Sequence, residues 1–122
     1  MKKNYLNNFL KKIKLKPYII AEIGVNHEGS VKLAKKMILL AKKSGADGVK
    51  FQTYKAELLA SKNSPAYWDT SKEKTKNQFE LFKKYDLFGK EDYKKLYKFC
   101  KKEKIDFLST PFDEKSVDFL DT

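Results

Sequence analysis

The sequence predicts an α/β protein in which parallel strands alternate with helices, and three observations support this fold class. Three short apolar, β-branched segments are separated by segments with helical periodicity. About thirty residues separate the first two apolar segments, which is the length of a right-handed βαβ unit. Each apolar segment turns polar at its carboxyl end, where parallel α/β folds place their active sites. A chain of 122 residues fits one such domain with a modest core.

The predicted elements follow in the order strand, helix, strand, loop, helix, strand, helix. They are strands at 18–23, 49–53 and 105–109, and helices from Ser30 to about Ser44, at 90–103 and after Asp113, with a further short helix predicted at 78–84 after the loop. Pro17 suits the start of the first strand because its missing N–H does no harm there. Ser30 and Asp113 are N-cap residue types, and Gly45 stands where helix C-termini favour glycine. Residues 54–76 lack periodicity and predict an irregular excursion after the second strand.

The net charge of +11 comes entirely from lysine, since all 27 basic residues are Lys. Sequence-selective nucleic-acid binding relies on the arginine fork, so we expect no specific nucleic-acid partner. Non-specific attraction to polyanions stays open. No apolar run is long enough to span a bilayer, and the basic residues 1–16 lack the apolar core of a signal peptide. Cys100 lies in a helical apolar stripe, which predicts a core thiol in a cytoplasmic protein.

Side-chain alternation places the polar residues of the first two strands on one face. Glu22 shares that face in the first strand, and Lys50 and Gln52 share it in the second. A buried Glu or Lys needs a partner or a charged ligand. Two readings stay open: a structural ion pair between Glu22 and Lys50, or a site in which Lys50 is the counter-charge for an anionic substrate and Glu22 is a polar anchor or proton handler.

The remaining polar segments are less specific. His27 is the only histidine, and with no cluster of Cys or carboxylates near it in the sequence it predicts no metal site. Without other information, a turn histidine with a local hydrogen bond is the simpler role. The segment 109–111 offers hydroxyl groups and a stiff turn that suit a sugar or a phosphate. The residues alone therefore predict part of an anion-binding α/β enzyme.

Three segments together resemble the sialic acid synthase family, whose members condense phosphoenolpyruvate with N-acetylmannosamine or related sugars. They are IAEIGVNHEG at 20–29, GADGVKFQTYKA at 45–56 and FLSTPFD at 107–113. The resemblance implies that residues 17–122 form about strands one to three of a (β/α)8 TIM barrel, which needs about 250 residues. It implies an N-terminal fragment that lacks the family's C-terminal antifreeze-like domain and is inactive alone.

The resemblance also implies the reaction. C3 of phosphoenolpyruvate attacks the aldehyde of the open-chain sugar, water attacks C2 and phosphate leaves, giving a nonulosonic acid. A divalent metal, Mn²⁺ or Mg²⁺, polarises the aldehyde, and the resemblance places its ligands on later strands that this chain lacks. The expected partners are phosphoenolpyruvate and an N-acetylated amino sugar, in a full-length enzyme that forms a homodimer.

Site roles carry over from the family to matching positions. Lys50 would contact phosphoenolpyruvate, with Glu22 as the second catalytic residue. The sugar site would be lined by Glu22, Gln52, Thr110 and Phe112, with Asn26 and His27 in the adjoining mouth. Residues 64–70 fall where the family varies, and they form part of either the sugar pocket or a subunit contact.

Three functions stay open at this point. The first is a sialic acid synthase. The second is a sibling condensing enzyme with another acceptor, such as a legionaminic or pseudaminic acid synthase. The third is a Lys-rich polyanion-binding protein that is not an enzyme.

Overall fold

The computed structural model describes residues 16–121 and also residues 7, 8, 10 and 11. From residue 16 onward the order of elements is β1–α1–β2–α2–α3–α4–β3–α5. The strands are β1 (Ile20–Gly24), β2 (Gly48–Thr53) and β3 (Asp106–Pro111), and the helices are α1 (Val31–Lys43), α2 (Ala56–Leu59), α3 (Gln78–Tyr85), α4 (Lys90–Glu103) and α5 (Glu114–Leu120). The predicted basic extension at 1–16 lies mostly outside the described residues.

The three strands form one sheet in the order β1–β2–β3, and both neighbouring pairs are parallel. Strand β2 is therefore the central strand and pairs with both of its neighbours. The ladder between β1 and β2 is irregular, because it shifts by one residue between Glu22 and Gly24. The predicted α/β class with three parallel strands is confirmed.

Local capping explains where two of the helices begin. The Ser30 hydroxyl accepts a hydrogen bond from the Leu33 N–H at 3.1 Å, and the Asp113 carboxylate accepts one from the Ser116 N–H at 2.9 Å. Each satisfies one of the backbone donors that a helix N-terminus leaves free. At the end of α1, Gly45 has φ +90°, a conformation that favours glycine. All three predicted helix signals are confirmed.

Two strand boundaries and the excursion after β2 differ from the sequence prediction. Strand β1 begins at Ile20 rather than Tyr18, because the Ile19 N–H donates to Asp47 Oδ2 at 3.0 Å instead of to a strand neighbour. Strand β3 continues to Pro111, beyond the predicted residue 109, since the whole segment pairs with β2. The excursion after β2 contains the short helix α2, which sequence periodicity does not reveal.

One face of the sheet carries the core. Val49 and Phe51 of β2 are fully buried, with Ile38 of α1 and Leu96 of α4 in the same cluster. Cys100 is also fully buried, as predicted, and burial raises the pKa of its thiol to about 12. Helices therefore cover this face and leave the opposite face of the sheet open. Among the described residues, no helix is both long and apolar enough to cross a membrane.

Candidate functional site

The open face of the sheet carries a row of polar side chains near the carboxyl ends of the strands. Glu22 of β1 lies opposite Lys50 of β2. Two residues further along β2, Gln52 lies opposite Thr110 of β3. Side chains alternate between the two faces of a strand, so Lys50 and Gln52 project from the face of β2 that does not carry the buried Val49 and Phe51. The structure thus brings Glu22, Lys50 and Gln52 to one face, as strand alternation predicts.

Glu22 and Lys50 form an ion pair on this face. Lys50 Nζ lies 3.0 Å from Glu22 Oε2, and the two side chains are 38% and 48% exposed, respectively. A pair this open to solvent contributes at most about 1 kcal/mol to folding stability. Glu22 and Lys50 therefore form the ion pair that one of the two interpretations predicts, but this pair contributes little to the stability of the fold. Both charged groups remain accessible to a ligand.

Gln52 and Gly24 lie beside this pair. An ideal Cβ on Gly24 would stand 3.6 Å from both Gln52 Nε2 and Glu22 Oε1. Gly24 follows the register shift in β1. Its φ of +57° is a conformation that favours glycine. A methyl group on Gly24 would therefore be in ordinary van der Waals contact with both the carboxylate and the amide.

Thr110 and Phe112 lie at the end of β3 and just beyond it. Thr110 is half-buried, and its backbone pairs with Gln52. The Phe112 N–H donates to the Thr53 carbonyl oxygen at 3.0 Å, which extends the β2–β3 contact past the strand. The Phe112 ring is 46% exposed and meets the Tyr54 ring edge-on at a centroid distance of 6.4 Å. Phe112 therefore presents an apolar surface next to the polar row.

His27 and Asn26 occupy different environments in the turn after β1. Asn26 is exposed, whereas the His27 ring is only 2% exposed and stacks on Phe88 with ring centroids 3.9 Å apart. The Gly29 N–H donates to His27 Nδ1 at 3.1 Å. Burial lowers the pKa of His27 to about 4, so the ring is neutral at pH 7. The simpler prediction of a turn histidine with a local hydrogen bond describes this geometry, while substrate contact by Asn26 or His27 stays a prediction.

A second layer of hydrogen bonds supports β2 from the helix side. The Tyr93 hydroxyl of α4 donates to the Gln52 carbonyl oxygen at 2.7 Å, and the hydroxyls of Thr53 and Ser109 lie 2.6 Å apart. Burial raises the pKa of Tyr93, which keeps it a donor. Tyr93 lies in the helix predicted at 90–103, and no local pattern reveals this hydrogen bond, because its polar partner lies 41 residues away.

Asp86, at the end of α3, anchors the start of the excursion after β2. This carboxylate is 4% exposed, pairs with Lys55 Nζ at 2.7 Å and accepts the Ala56 N–H at 3.2 Å. Sequence reasoning missed this anchor, since nothing local marks Asp86 as different from other acids. Within the excursion, Pro65 and Asn77 form an antiparallel bridge and Tyr67 is 71% exposed. Whether residues 64–70 contact sugar or a subunit stays a prediction.

The described residues do not fit a divalent metal by themselves. Among them, no group of three or more His, Cys, Asp or Glu side chains is arranged to hold an ion. Glu22 is the carboxylate of the polar row, and its partner is Lys50 rather than a second acid.

Parallel β/α units with polar side chains at their carboxyl ends are the arrangement of α/β enzymes. The chain belongs to the NeuB family, whose family model matches residues 37–122. It is 44% identical over 105 residues to an N,N'-diacetyllegionaminic acid synthase of Legionella pneumophila, covering 84% of this chain and 29% of that protein. It is 43% identical over 103 residues to an N-acetylneuraminate-9-phosphate synthase of Drosophila melanogaster, covering 84% of this chain and 28% of the relative.

The fold of this chain is also similar to that of a solved structure. The N-acetylneuraminic acid synthetase of Leptospira borgpetersenii, in complex with citrate, superimposes with a TM-score of 0.68 at 34% identity, covering 85% of this chain and 32% of that one. The predicted fold class is confirmed, and the three strands with their helices are part of a TIM barrel. The chain spans about 30% of the length of these relatives. The resemblance to the sialic acid synthase family is likewise confirmed.

Proposed function

We propose that this chain supplies one wall of the active site of a synthase that condenses phosphoenolpyruvate with an N-acetylated amino sugar and releases phosphate. The observation that carries the proposal is the accessible Glu22–Lys50 pair, which lies at the carboxyl ends of parallel strands in a chain of the NeuB family. An accessible lysine on an open barrel face suits a substrate that brings its own negative charge.

Lys50 is the cation that would receive phosphoenolpyruvate. Its present partner is the Glu22 carboxylate at 3.0 Å, and a carboxylate or phosphate of the substrate would compete for the same ammonium group. Replacement of Glu22 by the substrate at Lys50 costs little free energy, because a half-exposed ion pair contributes little stability. Lys50 then offsets negative charge on phosphoenolpyruvate while C3 forms a bond to the sugar aldehyde. Water adds at C2 and phosphate departs, so the atoms balance as one nonulosonic acid and one phosphate.

Glu22, Gln52, Thr110 and Phe112 would line the acceptor side. The first three offer carboxylate, amide and hydroxyl groups, which are the hydrogen-bonding partners that a sugar requires. The half-exposed Phe112 ring suits the apolar face of a sugar or the methyl group of an acetamide. The divalent metal expected from the resemblance would be held by residues outside the described part of the chain.

The acceptor is N-acetylmannosamine or a related sugar. Identity alone does not separate these acceptors, because the legionaminic and the N-acetylneuraminate-type relatives match at 44% and 43%. A legionaminic or pseudaminic acid synthase therefore stands as the alternative within the same family. A polyanion-binding function has less support, since several of the described lysines pair with acids, as Lys83 does with Glu57.

The test uses the full-length protein, meaning the longest polypeptide in which this chain occurs. Phosphate release is measured with phosphoenolpyruvate, Mn²⁺ or Mg²⁺ and a panel of acceptors that contains N-acetylmannosamine, its 6-phosphate and the diacetylated precursors of legionaminic and pseudaminic acids. We expect release that requires both phosphoenolpyruvate and one acceptor. Release that ignores the acceptor, or no release with any acceptor, would contradict the proposal.

A further inference from the structure

His27 carries a buried polar atom that has no partner in the described part of the chain. The Gly29 N–H donates to His27 Nδ1 at 3.1 Å, so the proton of the neutral ring sits on Nε2, and this nitrogen is a donor. Nε2 is buried and makes no hydrogen bond to any described residue. Buried donors in native proteins are satisfied by a protein group or by an ordered water, because an unmade hydrogen bond costs free energy. The Nε2–H group therefore needs an acceptor.

A small cavity beside the imidazole ring has room for such an acceptor. Its wall includes His27, Tyr54, Asp86 and Tyr93, and it offers about 10 Å³ to the centre of a water molecule. A single buried water needs roughly 10–15 Å³ in this measure. The cavity therefore has the size for one water, and it is too small for a substrate.

Two hydroxyl groups of the wall match what a buried water requires. The Tyr93 hydroxyl donates to the Gln52 carbonyl oxygen at 2.7 Å, and the Tyr54 hydroxyl donates to the Phe82 carbonyl oxygen at 3.2 Å. Both hydroxyl oxygens therefore keep lone pairs for an incoming donor. A buried water makes about three hydrogen bonds, which it would complete by accepting from His27 Nε2 and donating to the two tyrosines.

We propose that one buried water connects His27 Nε2 to the hydroxyls of Tyr54 and Tyr93, and that His27 is through this water a positioning residue for the polar row. The turn after β1 is thereby tied to Tyr93, whose hydroxyl holds the Gln52 backbone at the carboxyl end of β2. The water site stands on the geometry of the described residues, whereas its effect on catalysis rests on the proposed function.

The water site is tested by a crystal structure of the full-length wild type at about 1.8 Å resolution or better. We expect a water oxygen within about 3.2 Å of His27 Nε2 and within the same distance of the Tyr54 or Tyr93 hydroxyl oxygen. A cavity without an ordered water, or an Nε2 that donates directly to a protein group, would overturn the water site. This result does not depend on enzymatic activity.

Two amide substitutions separate the two hydrogen bonds of the His27 ring. His27→Asn places its carbonyl oxygen near the Nδ1 position and keeps the acceptor for the Gly29 N–H, whereas His27→Gln places its amide nitrogen near the Nε2 position and keeps the donor to the water. Both substitutions lose the stacking contact with Phe88, so this loss cancels when the two variants are compared. A positioning role through the water and a purely local turn bond therefore predict opposite orders of activity.

The positioning role is tested by steady-state kinetics of these two full-length variants with phosphoenolpyruvate and the active acceptor. We expect kcat/KM for the acceptor to be about fivefold or more lower in His27→Asn than in His27→Gln, the scale of one hydrogen bond. Equal values, or the reverse order, would overturn the positioning role and leave the synthase proposal intact. A wild type that is inert with every acceptor would instead overturn the proposed function, while the crystal structure still decides the water site.

A second pair of variants applies if an amide variant does not fold. Tyr93→Phe breaks the connection between the water and the Gln52 backbone, and Tyr97→Phe is its control, because Tyr97 lies one turn further along α4 and is 53% exposed. We expect kcat/KM for the acceptor to fall about fivefold or more in Tyr93→Phe and to stay within about twofold of wild type in Tyr97→Phe. Equal effects of these two substitutions would overturn the positioning role.

Discussion

His27 provides the most quantitative prediction, because its environment disfavours the protonated ring. The ring is 2% exposed, stacks on Phe88 and uses Nδ1 to accept the Gly29 N–H. Protonation would place a charge in this apolar contact and replace the Nδ1 acceptor with a donor that faces another donor. Burial accordingly lowers the pKa from the usual 6.5 to about 4.

The lowered pKa fixes how stability depends on pH. The unfolded chain takes up the proton near pH 6.5, whereas the folded chain takes it up only near pH 4. Between these values the unfolded state binds more protons, so the free energy of unfolding falls as pH falls through this window. The loss amounts to about 3 kcal/mol when the window has been crossed. Above pH 6.5 the contribution of neutral His27 is fully present.

The assay compares wild type with His27→Phe, which keeps an aromatic ring against Phe88 but cannot titrate. Urea unfolding is followed from pH 7.5 to pH 4, so that titrating carboxylates affect both proteins alike. At neutral pH the variant is expected to be less stable by about 1 kcal/mol, since it loses the acceptor for the Gly29 N–H. At pH 4 the order reverses.

The titration of His27 is also directly observable, because it is the only histidine of the chain. Selective labelling of this chain's histidine gives one pair of ring signals in the NMR spectrum. A midpoint near pH 4 in the folded protein supports the reasoning. A midpoint at or above pH 6 in the folded protein, or a stability difference between wild type and His27→Phe that is flat across pH, would refute it.

Three further predictions concern the anchor, the thiol and the isolated chain. Asp86→Ala removes the ion pair with Lys55 and the hydrogen bond from the Ala56 N–H, so we expect the free energy of unfolding in urea to fall by about 2 kcal/mol. The exposed control Glu57→Ala should change it little, and equal effects of the two substitutions would contradict the anchoring role of Asp86. Cys100 is buried with a raised pKa, so a thiol reagent should label it only in denaturant, and rapid native labelling would contradict its place in the core. Residues 1–122 alone should release no phosphate from phosphoenolpyruvate and N-acetylmannosamine, and turnover by this chain would refute the view that it holds one wall of the site.

Patterns that depend on short-range geometry were predictable from the sequence. Strand alternation placed Glu22, Lys50 and Gln52 on one face, because the side-chain period of a strand is fixed by its backbone. Ser30 and Asp113 were predicted as N-caps for a similar reason, since the cap bond spans three residues. The fold class followed from these local signals and their spacing.

Features that depend on distant contacts were not predictable. The burial of His27 requires Phe88, which is 61 positions away, and the anchor of the excursion requires Asp86 to reach Lys55. The approach of the Gln52 side chain to Gly24 joins neighbouring strands, next to the register shift between Glu22 and Gly24 in β1. None of these partners leaves a periodic signal in the sequence, because each is chosen by the packing of the whole domain.

The exchange of Glu22 for substrate at Lys50 is the central claim, and one comparison tests it most directly. Lys50→Met is measured against Lys94→Met in the full-length protein, since Lys94 forms an exposed ion pair with Glu91 at the same 3.0 Å distance but on helix α4. We predict that Lys50→Met lowers kcat/KM for phosphoenolpyruvate by about a hundredfold or more, the scale of a lost charge-assisted contact, and that Lys94→Met stays within about twofold of wild type. A folded Lys50→Met variant with wild-type kcat/KM for phosphoenolpyruvate would contradict the claim.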